Sequence, residues 1–586
     1  MKLATNISCA FFLLFSALTA YSQSPGSNFM ATDALGRKLP GYEEAGPLKK
    51  DKFVGLFYWT WHTQQSKDNA PYNTTEYLAR DPKAKEDYKN PIWPAKNSPW
   101  FWAEPLFGYY LNTDEWVLRK HAEMLADAAV DVLIFDCTNG NFTWKESYMK
   151  LCEVFTQARK DGVRTPQIAF MLPFGPTPGA QEIIHEIYKD LYQKNLYKDL
   201  WFYWKGKPLI MAYPGSAGES KAILDFFTFR PGQPVYDKGP ERKDHWGWLE
   251  IYPQHGFVKT EKGYEQAVVG VAQNWSKARG LTAMNAPGAF GRSYTHARGQ
   301  NTLPGAVNYG YNFQEQWDRA LEIDPEFIFI TGWNEWIAGR QELWQQQTNA
   351  FPDEFDQECS RDIEIMKGGH GDNYYYQMVS NIRRFKGVAK PQPASKPLTI
   401  AIDGNFREWE NVSPEYNSYK GNTLHRNSPG WGALHYTNNS GRNDIIQAKV
   451  ARDAENIYFY VKTTAPLSPK TDPAWMRIFI DIDLDKNTGW EGYDYVINRI
   501  SPKQKAYLEK TDFAWNWKPA GELEYAVQGN QLEIKIPRAL LGVKAGLDFG
   551  FKCQDNTKYD NDIMDFWVHG DAAPAGRAYY HYKSGS

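Results

Sequence analysis

Several common signatures are missing from this chain of 586 residues. No GxGxxG follows the first predicted strand and no GxxxxGK[ST] occurs, so nucleotide cofactors are not indicated. The net charge of −3 offers no strongly basic surface for nucleic acid or for an anionic membrane. Beyond the N-terminus, no run approaches the roughly 18 apolar residues that a membrane span needs. These absences exclude several classes of protein and leave an ordinary globular enzyme open.

Cysteine is also scarce. After Cys9, the chain holds only Cys137, Cys152, Cys359 and Cys553, with no CxxC pair. Four scattered cysteines cannot form a disulfide framework or a zinc site of the CxxC type. They are either free buried thiols or include one structural disulfide.

The N-terminus has the pattern of a signal peptide. Lys2 supplies the positive charge, residues 10–19 are apolar, and Ala-Tyr-Ser at residues 20–22 fits a cleavage site before Gln23. We therefore predict a signal peptide over residues 1–22 and an exported protein. Periplasm, cell surface and medium remain equal alternatives, and the sequence does not indicate an oligomeric state.

Aromatic residues, unlike cysteines and long apolar runs, are abundant in this chain. They make up 16% of the chain, including 23 Trp and 36 Tyr, and many stand among polar residues at 58–62 and 93–102. Aromatic rings outside apolar runs provide large rigid faces with little conformational entropy to lose. This composition predicts a polysaccharide or oligosaccharide partner.

The chain divides at a linker rich in Pro and small polar residues, 389–397. In residues 23–388, strand-like runs alternate with helical ones, which predicts an α/β fold, a (β/α)₈ TIM-type barrel. In residues 398–586, short strands follow one another between turns, which predicts an all-β sandwich. The predicted barrel strands are 53–59, 131–137, 167–172, 208–213, 246–252, 268–274, 281–285 and 327–331.

Polar residues follow several of these strands, where a barrel carries its chemistry. Glu335 comes just after the apolar run 327–330 and is the first candidate catalytic residue. Asp136 ends a second apolar run, and Glu250 points inward if Trp248 does. Ordinary loop polarity is the alternative for each of them. The residues predicted to bind substrate at the strand ends are Trp59, Trp61, His62, Asn139, Trp333, Asn334 and Trp336.

The tetrapeptide Trp-Asn-Glu-Trp at 333–336 resembles the WNEWHEG motif of glycoside hydrolase families 71 and 99. The resemblance extends over roughly residues 50–388 and implies a (β/α)₈ barrel acting on α-linked glucans or mannans. In family 99 a second Glu follows three residues after the first, but here that position is Ala338. Either another carboxylate serves (Asp136, Glu250 or Glu342), the mechanism differs, or the barrel only binds glycan.

The second half resembles family 9 carbohydrate-binding modules and DOMON-like domains, on residues 402–404, 456–461 and 479–495. Within it, Asp481, Asp483, Asp485 and Asn487 offer hard oxygen ligands, which predicts a structural calcium site. Solvated acids beside a turn are the alternative. The candidates for a sugar platform here are Trp431, Trp490 and Trp515.

Together these patterns predict an exported glycoside hydrolase that uses two carboxylates as general acid and base, with no cofactor required for catalysis. Asp136 is the first choice as partner of Glu335. A noncatalytic glycan-binding protein and a polysaccharide lyase, with His62 or a Tyr as base, are the alternatives.

Overall fold

The computed structural model describes residues 29–64, 70–94, 100–544 and 546–585. The predicted signal peptide, residues 1–22, lies outside these ranges and stays a prediction. Within them, no helix is both long enough and apolar enough to cross a membrane. The four cysteines beyond Cys9 are unpaired, and three of them are buried.

The first half is built on a mainly parallel sheet of nine strands. Its central strands are short buried runs of β-branched and aromatic residues, as expected where helices cover a parallel sheet. The neighbouring parallel strands are, in order, Gly263–Gly270, Phe327–Thr331, Phe53–Tyr58, Val132–Asp136, Gln167–Met171, Lys207–Met211 and Thr228–Phe229. Phe257–Thr260 and Tyr203–Trp204 add antiparallel partners at the two ends.

Amphipathic helices connect these strands. They are Thr74–Arg80, Glu115–Asp127, Lys145–Lys160, Pro178–Ile187, Lys221–Phe226, Tyr311–Ile323 and Asn373–Lys386. Asp114 begins the second of them by accepting hydrogen bonds from the N–H groups of Trp116 and Val117 at 3.1 and 3.3 Å. Small antiparallel ladders lie in the loops: Trp100–Phe101 with Ile337–Ala338, Gln341–Trp344 with Gln347–Ala350, and Gln273–Ser276 with Gly280–Leu281.

The predicted eight-fold barrel is confirmed only as this parallel α/β sheet. The pair Gly232–Gln233 and Trp246–Gly247 is parallel but separate from the long sheet. The side chain of Gln266 spans the gap, because it accepts from the N–H of Gly247 at 3.1 Å and donates to its carbonyl at 2.8 Å. Among the described residues, the main-chain ladder is thus open, and a side chain of the strand Gly263–Gly270, next to the end strand Phe257–Thr260, joins it to the separate pair.

Two predicted strands were wrong in extent. The run 246–252 is a strand only at Trp246–Gly247, and 281–285 contributes only the short strand Gly280–Leu281. The sixth predicted strand begins five residues earlier than expected, at Gly263.

The second half forms an antiparallel sheet of twelve strands. The strand Lys518–Gln528 pairs with Ala506–Lys510 at one end and with Gln531–Pro537 at the other, so the sheet continues from one layer into a second. A single hydrophobic core lies between the layers and includes Phe459 and Phe551, whose ring centroids are 5.2 Å apart. Its other strands are Glu415–Asn417, Ile445–Arg452, Asn456–Thr463, Arg477–Asp481, Tyr495–Ile497, Asp548–Asp555, Asp571–Ala573 and Ala578–Lys583.

The edge strand of this sheet comes from the other end of the chain. Phe29–Ala31 pairs antiparallel with Ala578–Lys583. Arg383, on the last helix of the first half, donates to the carbonyl of Phe29 at 2.9 Å and lies over its ring. The division at 389–397 therefore omits a strand that the N-terminal segment gives to the second half.

Candidate active site

Glu335 lies in the segment that follows the strand Phe327–Thr331. The chain turns at Gly332, whose φ is +109°, and a Cβ there would lie 2.3 Å from the carbonyl oxygen of Arg361. Glycine therefore allows two backbone segments to meet. The N–H groups of Ile363 and Glu364 both donate to the carbonyl of Trp333, at 3.1 and 2.9 Å. This contact places Arg361 beside Glu335.

Arg361 is the centre of a carboxylate cluster. Its Nη2 donates to Oε2 of Glu335 at 3.0 Å and lies 3.5 Å from Oδ1 of Asp353. Its Nε lies 3.5 Å from Oε1 of Glu354. All of these side chains are buried except that of Asp353, which is 43% exposed. One guanidinium thus faces three carboxylates, and Asp353 is the one open to solvent.

Burial dominates the electrostatics of this cluster. It raises the pKa of Glu335 to about 8, although Arg361 opposes the shift. Burial also raises the pKa of Glu354 well above its usual range. Burial therefore favours the protonated form of Glu335, which can donate a proton, while Arg361 favours the charged form.

Asp136 faces the same cluster. It is the last residue of its strand and is buried, and its Oδ1 accepts from the N–H of Thr138 at 3.0 Å. Its Oδ2 has no hydrogen-bond partner among the described residues. Burial raises its pKa to about 6, and the charges of Asp353 and Arg361 act on it as well. Asp136 and Glu335 thus share a charged neighbourhood.

Glu250 does not join this neighbourhood. It is buried and accepts from His255, from Nδ1 at 2.9 Å and from the backbone N–H at 3.1 Å. Burial raises its pKa to about 7, and His255 is the only charged group that offsets the shift. Through His255 the carboxyl of Glu250 contacts its own loop, and the prediction that Glu250 serves the same site stays a prediction. Trp248 does turn toward the cluster, with the guanidinium carbon of Arg361 6.0 Å from its ring.

The predicted aromatic platform is instead a stack of rings. Trp59 and Trp61 lie 4.2 Å apart at 30°, Trp61 and Trp144 lie 5.0 Å apart, and Trp144 and Phe142 lie 5.3 Å apart. Each ring covers a face of the next, so Trp59, which is buried, offers no face to a sugar. Phe142, 57% exposed, is the open end of the stack.

Three residues of the motif at 333–336 are structural, which corrects their assignment to substrate. Trp333 is fully buried against His121 and Tyr375. Asn334 uses its amide on the backbone N–H and carbonyl of Trp59, at 2.9 and 3.2 Å. Trp336 donates from Nε1 to Glu364 at 2.5 Å, in a buried network with Tyr110 and His121.

His62 and Asn139 have opposite surroundings. His62 is buried against Tyr110, 4.9 Å away, and burial lowers its pKa to about 3. A pKa this low makes the imidazole a weak base, and its burial does not support a contact with substrate, so the role of His62 stays a prediction. Asn139 is exposed on the loop after Asp136 and remains a candidate for contact with a ligand.

The acidic group of the second half differs from its predicted form. Asp481, Asp483 and Asp494 place carboxylate oxygens within 4.8 Å of one another. Burial raises the pKa of Asp481 to about 7 and that of Asp494 to about 6, and Asp483 raises both further. Asp485 instead accepts from the backbone N–H and the side-chain amide of Asn487 at 3.0 and 2.8 Å, and the assignment of these two residues as metal ligands stays a prediction.

The predicted sugar platforms of this half also change. Trp431 and Trp490 are buried, while Trp515 is half-buried with its ring 4.4 Å from that of Trp490. Only Trp515 retains an accessible surface.

No family model matches the chain, and neither does any curated protein. Among solved structures it is similar to the GH99 endo-alpha-mannosidase from Bacteroides thetaiotaomicron, with and without BIS-TRIS-propane. Each match has 16% identity and a TM-score of 0.31, and covers 57% of this chain and 98% of that one. A family 9 carbohydrate-binding module from Caldicellulosiruptor kristjanssonii, in complex with cellotriose, matches 23% of this chain and 63% of its own. That likeness has 14% identity and a TM-score of 0.13. Scores this low do not establish a shared fold.

Proposed function

We propose that this chain is an exported glycoside hydrolase of the periplasm, cell surface or medium. The observation that carries the proposal is the grouping of Glu335 and Asp353 around Arg361, with Asp136 near enough for the charges of Asp353 and Arg361 to act on it. Asp136 ends one parallel strand and Glu335 follows another, with the strand Phe53–Tyr58 between them, and barrel enzymes place catalytic groups at such C-terminal strand ends. The parallel strand order and the bridge through Gln266 support a TIM-type barrel as the complete form of this sheet.

In this proposal Glu335 is the general acid. Its raised pKa keeps the proton that the leaving glycosidic oxygen needs. Asp136, with its lower pKa and free Oδ2, is the second carboxylate. No cofactor takes part in this reaction.

Asp353 is the rival for the second role. Its Oδ1 and the Oε2 of Glu335 contact the same nitrogen, at 3.5 and 3.0 Å. The two oxygens therefore lie within about 6.5 Å, the lower limit of carboxyl separations in inverting enzymes. If Asp353 is the partner, this spacing favours retention of configuration.

The test is a panel of purified polysaccharides, α-glucans and α-mannans among them, with analysis of the released products. We expect hydrolysis of at least one glycan by the wild-type protein and none by Glu335→Gln. Asp136→Asn and Asp353→Asn then identify the partner, because most of the turnover should be lost only in the variant that lacks the true partner. Cleavage by Glu335→Gln at the wild-type rate would overturn the assignment.

A noncatalytic glycan-binding protein is the second candidate, and Ala338 favours it. This residue lies in a two-residue ladder with Trp100, where family 99 has its second Glu. Retained binding without products from any glycan would support this alternative. The lyase alternative loses its histidine base because His62 is buried.

For the second half we propose a carbohydrate-binding role with a structural calcium ion. Three carboxylates, two of them with raised pKa values, fit a divalent cation, because such an ion stabilises their charged forms. Asp481, Asp483 and Asp494 would hold the ion. The exposed part of Trp515 is the remaining sugar platform.

A further inference from the structure

A hairpin of the second half packs against the first half beside the carboxylate cluster. It consists of the strands Arg426–Pro429 and His435–Asn438, and its tip carries Trp431. Trp431 is buried in one hydrophobic cluster with Phe101, Trp102 and Trp336. Its ring lies 5.4 Å from that of Phe101, nearly perpendicular. Trp431, which belongs to the second half, thus packs in the same cluster as Trp336, the residue that follows Glu335.

The hairpin also holds the segment that carries Trp61. Gln64 donates from its side chain to the carbonyl of Gly432 at 2.9 Å and accepts from the N–H of Gly432 at 3.0 Å. These two reciprocal hydrogen bonds have the pattern of one hydrogen-bonded residue pair between antiparallel β-strands. It fixes the chain three residues after Trp61, whose ring lies in the stack near Asp136.

A buried ion pair anchors the base of the hairpin. Nη2 of Arg426 lies 2.7 Å from Oδ2 of Asp114, and both side chains are buried. Asp114 also caps the helix Glu115–Asp127. The N–H of Tyr109 donates to the hydroxyl of Tyr436 at 2.8 Å, and the N–H of Trp431 donates to the carbonyl of Tyr109. The hairpin is therefore held along its whole length.

We propose that hairpin 426–438 positions the candidate active site, with Trp431 and Gln64 as positioning residues. Trp336 stacks on Trp102 at 4.7 Å on one side and shares its cluster with Trp431. Removing Trp431 leaves a cavity in this cluster, and the segment 333–337 loses part of its support. The second half is then part of the site and not a separable binding module. The catalytic meaning of this inference rests on the proposed function, but the positioning itself does not.

Amide hydrogen exchange on the full-length protein tests the positioning directly. The variants are Trp431→Ala, the conservative Trp431→Phe, and Gln64→Ala, which removes the double hydrogen bond to Gly432 and a longer one to the carbonyl of Gly430. Phe513→Ala is the control, since Phe513 belongs to the same half and is 77% exposed. Exchange is followed in peptides covering 60–64 and 333–337.

For Trp431→Ala we expect exchange at least about tenfold faster in both segments, because local opening sets the exchange rate. For Gln64→Ala the increase should be confined to 60–64, and Trp431→Phe should retain most of the protection. Phe513→Ala should change neither segment. If Trp431→Ala fails to fold, Trp431→Leu, which keeps part of the buried volume, takes its place for segment 333–337, and Gln64→Ala still decides for segment 60–64. Faster exchange in the hairpin with both segments unchanged would overturn the inference.

Activity adds a second readout once a glycan from the panel is hydrolysed. In Trp431→Ala, water that reaches Glu335 should lower its pKa, so the alkaline limb of the pH profile moves to lower pH, while Trp431→Phe and Gln64→Ala should leave that limb in place. A merely structural role would leave that limb in place in Trp431→Ala as well, which counts against the inference. If no glycan is hydrolysed, the proposed function fails while the exchange experiment still decides the positioning.

Discussion

Each half of the molecule gathers carboxylates, but only the first supplies a cation for them. Glu335, Asp353 and Glu354 surround the guanidinium of Arg361. Asp481, Asp483 and Asp494 form no ion pair with a lysine or arginine within the described ranges. A built-in cation keeps acids in place without any ion from solution. The second group must stay partly protonated or bind a metal.

The largest expected effect concerns the first cluster. Glu335→Gln keeps the shape of the side chain and removes its proton, so turnover should fall by about 10²–10⁴. Glu342→Gln is the matched control, because Glu342 lies on the exposed strand Gln341–Trp344 of the following hairpin. Steady-state rates on an identified glycan measure both. A Glu335→Gln rate as high as that of Glu342→Gln, with both near the wild-type value, would mean that Glu335 is not catalytic.

Removing the built-in cation tests the comparison itself. Arg361→Met leaves buried carboxylates without a partner, and breaking a buried ion pair in this way costs about 3–5 kcal/mol. Arg242→Met is the control, since Arg242 is an exposed partner of Asp244 and should contribute less than about 1 kcal/mol. Urea unfolding of the full chain measures the difference. A small change in the free energy of unfolding for Arg361→Met would show that these carboxyl groups are stable in their protonated forms without the charge of Arg361.

A bound metal ion should supply the positive charge for Asp481, Asp483 and Asp494 that Arg361 supplies for the first cluster. Calcium at 100 times its Kd should add about 2.7 kcal/mol to the free energy of unfolding. Asp494→Asn should remove this gain. Asp485→Asn should not, because Asp485 is bonded to Asn487 and is exposed. Calorimetry with chelator and with calcium measures the response of each variant. Equal responses of Asp494→Asn and Asp485→Asn would contradict the proposed ligand set of Asp481, Asp483 and Asp494.

The same cluster predicts how this response depends on pH. The folded-state pKa values of Asp481 and Asp494 lie above the unfolded value, so their stabilising contribution is present at low pH and is lost as pH rises through about 6 and 7. Bound calcium favours the charged forms and should cancel that loss. The calcium-dependent rise in Tm should therefore be larger at pH 8 than at pH 5.

The smallest effect is the shape of the activity profile. Asp136 must lose its proton near pH 6, and Glu335 must keep its proton up to about pH 8. The rate should therefore rise through pH 6 and fall through pH 8, with a maximum between them. Asp136→Asn should remove the acid limb from the residual activity. A single limb in the wild-type protein would mean that only one of these groups titrates during turnover.

The sequence was a good guide where local pattern decides the structure. The strands at 132–136, 167–171 and 327–331 are apolar, β-branched and aromatic runs, and such runs form buried parallel strands. Asp136 and Glu335 followed from their positions at the ends of two of these strands. Trp246–Gly247 is much shorter than predicted, because the same pattern does not show where a pairing ends.

The rest depended on contacts between distant segments. Arg361 lies 26 residues after Glu335, and only the fold brings them together. Its segment, 353–364, is dense in charged residues, but sequence alone gave it no role beyond a resemblance. Asp494 replaces Asp485 as a predicted ligand because a neighbouring strand, not spacing along one loop, brings it to Asp481.

The strand Phe29–Ala31 has a consequence for how the molecule is made. It is among the first described segments to be synthesised, and its partner, Ala578–Lys583, is among the last. Until that partner has been made, the early strand has no ladder to join, and pairing across such a separation closes slowly. A chain cut short before residue 578 would leave Asp548–Asp555 with an open edge. Open edges invite aggregation and proteolysis, so we expect a chain that lacks residues 578–583 to be more prone to both.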